Sequence, residues 1–186
     1  MSMLERVLAA LVFGLFMAAP QAQDRLGIGQ PASQAQIRAW DIDIGPDGQG
    51  LPVGRGSVQD GARVFREKCS VCHGENGQGK PMDRLAGGAE TLATPTPVKT
   101  IGSYWPYATT LYDFIYRAMP FTSPQSRTPD EVYALSAYLL YLNGIVGKGA
   151  VMDAHTLPRV RMPNRGNFVT DPRPDVANVP CRADCR

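Results

Sequence analysis

The stretch Cys69-Ser70-Val71-Cys72-His73 decides how this chain folds. Two thiols three positions apart, followed at once by a histidine, have the spacing for covalent c-type haem attachment. Each thiol can bond one vinyl group of the same porphyrin. The adjacent imidazole is then held where a ring nitrogen binds the iron from one face. Two other chemistries use a Cys-x-x-Cys pair. A thiol–disulfide pair belongs in a thioredoxin-like βαβ setting, which the flanking residues do not offer. A zinc site needs a second pair of ligands, for which Cys181 and Cys185 are the only candidates. The spacing favours haem, with Cys69 and Cys72 as anchors and His73 as the proximal ligand.

Outward from the pentad, the sequence alternates short helices with long loops. Ser57 is a good N-cap, and Val58, Ala62 and Phe65 share one helical face, so a helix is expected to run to about Lys68 and deliver Cys69 at its end. Residues 74–103 hold six glycines and three prolines and read as loop. So long a loop argues against a compact domain unless it wraps something, and a haem supplies the missing core. A second helix is expected over Thr109 to Ala118, closed by Met119-Pro120. Thr128-Pro129-Asp130-Glu131 is a capping box with proline at the first helical position. It opens a third helix carrying Val132, Leu135, Tyr138, Leu139 and Leu142 at helical spacing, which Asn143-Gly144 stops.

The sixth coordination position separates electron transfer from ligand binding. Downstream of the N-terminal segment the chain has four methionines: Met82, Met119, Met152 and Met162. Met119 stands at a helix end and is held by the following proline, so it is the candidate distal iron ligand; the alternative is simple packing. His155 would give bis-histidine ligation, and an open sixth position is the remaining alternative. The Pro81 carbonyl is a candidate acceptor for the His73 Nδ1–H, and Arg117, Tyr104 and Trp105 are candidate donors to haem propionates.

At the N-terminus, Val7 to Ala19 is an apolar run of thirteen residues behind a short region ending in Arg6. That length suits a signal peptide, cleaved after Ala22, better than a membrane span; an uncleaved anchor is the alternative. Either exports the rest, and a periplasmic location follows. Residues 23–56 and 148–186 are rich in Gly, Pro and polar residues and read as an extended arm, with Trp40 to Ile44 a short strand or extended segment, and an irregular tail. Cys181 and Cys185 are expected to form a disulfide in an exported protein, with a metal site, a redox pair or bonds to a partner as alternatives. The net charge is +2, and no basic run suggests nucleic acid. No second apolar segment suggests membrane integration after signal cleavage. There is one CxxCH, so one haem c is expected.

Four stretches resemble a known family. Gly102 to Phe121, Asp130 to Leu140 and Met162 to Arg165, together with Trp40 to Ile44, look like the cytochrome c subunit of sulfane dehydrogenase in sulfur oxidation, the SoxD type. Related cytochromes serve sulfite dehydrogenases. The resemblance implies that Cys69 and Cys72 anchor the haem, that His73 and Met119 are the two axial ligands, and that the partner is a molybdenum-cofactor dehydrogenase subunit. Electrons would pass from that subunit to an acceptor cytochrome c. A stand-alone periplasmic shuttle is the alternative, and no substrate chemistry of its own is expected. Some members of that family carry two cytochrome domains, whereas this chain has one haem motif.

The expected architecture is therefore all-α: a class I-like cytochrome c fold over residues 57–147, a signal peptide at 1–22, and loop-rich extensions at 23–56 and 148–186 expected to hold a partner.

Overall fold

The computed structural model describes residues 29–173; the expected signal segment and the Cys181–Cys185 pair lie outside them. The chain divides into two units, residues 1–40 and 41–186. In the first, helix α1 (Gln34–Trp40) occupies part of the stretch read as an extended arm. Its start is a small capping box that the sequence reading passed over. The Gln36 backbone N–H donates to Ser33 Oγ (3.2 Å), and the Ser33 N–H donates to Gln36 Oε1 (2.8 Å).

The second unit runs β1 (Arg55–Ser57), α2 (Val58–Lys68), α3 (Ser70–His73), α4 (Ala108–Ala118), α5 (Pro129–Leu142) and β2 (Val151–Asp153), then two 3-10 turns, Leu157–Arg159 and Arg165–Asn167. It is an all-α domain with one two-stranded antiparallel ribbon, in which Arg55 pairs with Asp153, Gly56 with Met152 and Ser57 with Val151. No helix among the described residues is long and apolar enough to cross a membrane.

The helix starts follow their caps. Ser57 Oγ accepts from the Asp60 N–H at 3.1 Å to open α2. At α5, Thr128 Oγ1 accepts from the Glu131 N–H (3.3 Å), while Glu131 Oε2 accepts from the Thr128 N–H (3.0 Å), with Pro129 at the first helical position.

Helix α5 is the centre of the core. Six consecutive residues, Val132 to Ala137, are buried, so the helix is covered on nearly every side and not along one stripe. Helix α2 packs against one side, α4 against another, and the ribbon covers a third. Val64, Phe65, Leu111, Ile115, Leu139 and Leu140 fill the space between the helices. Each contributes about 1.5–3 kcal/mol of burial.

Close approach to α5 depends on two glycines, Gly61 of α2 and Gly56 of β1. A Cβ at Gly61 would overlap the carbonyl of Ala134, and a Cβ at Gly56 would overlap the backbone nitrogen of the same residue. Just beyond this crossing, the rings of Phe65 and Tyr138 meet with centroids 5.3 Å apart at 55°.

Much of both extensions belongs to this core. The Ile44 N–H donates to Asp113 Oδ1 (3.0 Å), the Arg55 N–H to Asp130 Oδ1 (2.8 Å), and the Tyr133 hydroxyl to the Pro52 carbonyl (2.8 Å). Met152, Leu157 and Met162 of the tail are buried in the main cluster. These segments are too polar to fold alone, and they acquire a core by sharing that of the helices.

Gly61→Val should lower stability by about 3 kcal/mol, because the clash is with backbone and no rotamer relieves it. The check is the denaturant midpoint of the haem-loaded protein against wild type; an unchanged midpoint would mean that the close crossing does not matter.

Candidate haem site

Helix α2 ends at Cys69, whose backbone N–H still donates to the Phe65 carbonyl at 2.9 Å. The chain then makes one more helical turn. The N–H groups of Cys72 and His73 both donate to the Cys69 carbonyl (3.1 and 3.0 Å), and that of Gly74 donates to Ser70 (2.8 Å). A single turn sets residues three apart on the same side, so Cys69 and Cys72 can both reach one planar group. Gly74 ends the turn at φ +78°, where a Cβ would also meet the Gln78 amide.

The following loop folds back onto this turn through main-chain bonds. The Gly79 N–H donates to the His73 carbonyl (2.8 Å), and the Met82 N–H to the Cys72 carbonyl (2.9 Å). His73 Nδ1 lies 2.8 Å from the carbonyl oxygen of Asp83. The acceptor is thus Asp83 and not Pro81, the residue expected from sequence. A carbonyl only accepts, so the proton sits on Nδ1. Nε2 therefore keeps its lone pair and is available to bind a metal ion.

The rest of the loop is held to the helices by a side chain read from sequence only as a helix stop. Asn143, the C-cap of α5, donates to the Leu85 carbonyl (3.1 Å) and accepts from the Gly87 N–H (3.1 Å). Farther along, Thr100 Oγ1 donates to the Gly87 carbonyl at 2.6 Å.

Burial pushes the Cys69 thiol up to about 11, opposed by the positive Arg127 and reinforced by Cys72. A disulfide oxidoreductase needs the opposite shift, toward thiolate. Among the described residues, no three His, Cys, Asp or Glu side chains converge as a metal site of their own; Cys181 and Cys185, the second ligand pair that a zinc site would need, lie outside those residues.

Met119 is the C-cap of α4, in extended conformation, with its N–H donating to the Ile115 carbonyl at 3.1 Å. It is half-buried against the same core as Cys69, Leu85 and Trp105. The alternative histidine, His155, is exposed in a turn after β2, where its backbone N–H donates to Asp153 Oδ1 (2.8 Å). Of the candidate propionate donors, Arg117 is engaged by Asp113 at 2.7 Å. The Tyr104 ring has Lys99 Nζ 4.9 Å from its centre and meets Phe168 at a 58° tilt, and the Trp105 ring meets Phe114 edge-on at 5.8 Å.

The residues present fit a haem. Between Gly74 and Lys99 only Gly77 and Gly79 are buried, so this long loop has no side-chain core of its own. Val71, Met82 and Phe121 are exposed around the Cys-His turn and the Met-Pro segment. The thiols, the imidazole with a free Nε2 and the thioether are the donors that c-type haem uses.

Comparison with known proteins agrees with this chemistry. The family model for cytochrome c matches residues 58–143. A chain in the crystal structure of the sulfane dehydrogenase SoxCD from Paracoccus pantotrophus is 43% identical, with a TM-score of 0.75, and the match covers 87% of this chain and 83% of that one. No curated protein sequence matches. At that identity and coverage, the chain belongs to the SoxD-type c-type cytochromes, a family whose haem c is covalently bound.

The double variant Cys69→Ala/Cys72→Ala should carry no haem after acid–acetone extraction, whereas either single variant should keep one thioether bond. Intact mass spectrometry reads the difference as a haem-sized increment, and retention of that increment by the double variant would exclude these anchors.

Proposed function

We propose that the chain is a monohaem cytochrome c subunit that takes electrons from a molybdenum-cofactor sulfane dehydrogenase subunit and passes them to a downstream acceptor cytochrome c in the periplasm. The observation that carries the haem chemistry is the His73 bond to the Asp83 carbonyl, which leaves Nε2 free beside the two cysteines. The likeness to the SoxCD chain supports the partner and the sulfur compound.

When bound, haem supplies a one-electron iron couple. Cys69 and Cys72 would hold the ring by two thioether bonds, and His73 Nε2 would bind the iron. The loop carbonyl at Asp83 keeps the imidazole from rotating and makes it a better donor. Met119 would be the second protein ligand. Its soft thioether would favour reduced iron and raise the potential. With His73 and Met119 both bound, the site would exchange electrons and leave no position for small ligands. The substrate chemistry falls to the partner, with export by the 1–22 signal and a Cys181–Cys185 disulfide in the tail.

Two results are expected. Met119→Ala should lose the far-red band of methionine-ligated oxidised haem, make the reduced haem reactive to carbon monoxide, and lower the potential on the order of 0.1 V within the range that axial ligands cover. A carbon monoxide-reactive wild type would instead indicate an open sixth position. For the partner, co-expression with a molybdenum sulfane dehydrogenase subunit should give a complex whose haem is reduced by carrier-bound sulfane sulfur. Reduction by sulfite alone would assign the chain to a sulfite dehydrogenase, and a free monomer active between separate donors and acceptors would make it a shuttle.

A further inference from the structure

Helix α4 ends on Met119, yet nothing in α4 itself fixes where it begins. Tyr107, its N-cap residue, makes no side-chain capping bond, and its first turn contains no acidic residue. An uncapped helix start must be held from outside.

The tail provides that hold. Asn164 is a buried amide in an otherwise exposed, proline-rich stretch. Its Nδ2 donates to the Tyr104 carbonyl at 2.9 Å, and its Oδ1 accepts from Asn167 Nδ2 at 3.1 Å. Burying an amide is costly unless both of its ends are satisfied, so this contact is specific. Arg165 lies with its guanidinium carbon 5.0 Å from the centre of the Tyr107 ring, and Phe168 meets the Tyr104 ring at 5.5 Å. Met162, just before them, is anchored in the core.

The N-terminal extension grips the first half of the same helix: Thr109 Oγ1, in its first turn, donates to the Pro46 carbonyl at 3.3 Å, and Asp113, one turn later, accepts from the Ile44 N–H. From Tyr107 to Met119 runs a helix of 11 residues, about 16 Å of rod. Strap and extension together fix the line of that rod, so loosening the strap at its start changes how its far end presents Met119.

We propose that Asn164 and Arg165 are positioning residues for Met119: the strap 162–168 clamps Tyr104 to Tyr107 and thereby sets where α4 presents its thioether. This rests on the reading of Met119 as the sixth iron ligand. The strap touches neither the cysteines nor His73 in any recorded bond, so its effect should fall on the sixth position alone.

The test uses the full haem-loaded chain and imidazole as a competitor for the sixth position. Asn164→Asp keeps an acceptor for Asn167 but turns a carboxylate against the Tyr104 carbonyl; Arg165→Leu removes the cation from Tyr107 and serves if the first variant does not fold. Either should weaken the far-red methionine–iron band and tighten imidazole binding to oxidised haem about 5- to 10-fold, the scale of one buried hydrogen bond. Val58→Ala, a core truncation at the start of α2, should lower stability and leave imidazole affinity at the wild-type value. Imidazole binding tightened as much by Val58→Ala as by Asn164→Asp would reduce the strap to general stabilisation and overturn the proposal. So would an unchanged band and affinity in the strap variants, provided that Met119→Ala abolishes the band. Persistence of the band in Met119→Ala would instead sink the ligand assignment on which the proposal stands.

Discussion

The close crossing of α2 and α5 governs the rest of the structure. With no side chain at Gly61 of α2 or at Gly56 of the preceding strand β1, both backbones close directly onto that of α5 at Ala134, Gly61 against its carbonyl and Gly56 against its backbone nitrogen. That contact joins residues more than seventy positions apart and sets the direction in which α2 points. Because Cys69 is the residue at which α2 stops, the crossing also places the first candidate haem anchor. A small error in the angle between these helices would move the thiols relative to the loop that orients His73. The site is thus attached to the most tightly packed part of the molecule, as its geometry requires.

The loop from Gly74 to Lys99 follows a different rule. It buries almost no side chain, and its order comes from hydrogen bonds: main-chain bonds to Cys72 and His73, and the two-ended grip of Asn143 on Leu85 and Gly87. Backbone bonds alone seldom hold a loop of this length in place. They do so here because both ends of the network are fixed, one to the Cys-His turn and the other to Asn143, the C-cap of α5. The loop adds the carbonyl that selects the His73 tautomer, a task for which any side chain at position 83 would serve equally.

This explains which parts were legible in the sequence. The helices and the Thr128–Glu131 capping box are properties of side-chain type and spacing, and they were readable. The acceptor for His73 was placed at Pro81 and lies at Asp83, because a main-chain carbonyl leaves no mark on residue identity. Gly61 is silent for a related reason: its role depends on what faces it, and Ala134 is remote in sequence. Helix α1 was missed because its Ser33–Gln36 cap is short and precedes few apolar residues. The apolar stripe on α5 is legible, but only the incoming arm and α4 explain why Tyr133, off that stripe, is buried too: its hydroxyl donates to the Pro52 carbonyl and its ring meets that of Tyr112 at 4.5 Å.

The extensions change the meaning of the domain boundary. Their composition marks them as segments that cannot fold alone, and from sequence that suggested a partner would hold them. In the structure the first holder is the cytochrome itself: Met152, Leu157 and Met162 share its core, and Asp113, Asp130 and Tyr133 bond to the backbone of the incoming arm or its carbonyls. The consequence is mechanical. Helix α4 buries Leu111, Tyr112 and Ile115 in the core, and the extensions add hydrogen bonds that side-chain packing cannot supply: Asn164 to the Tyr104 carbonyl just before its start, and the Ile44 N–H to Asp113 in its middle. The helix carrying the candidate sixth ligand is thereby held by directional bonds as well as by packing.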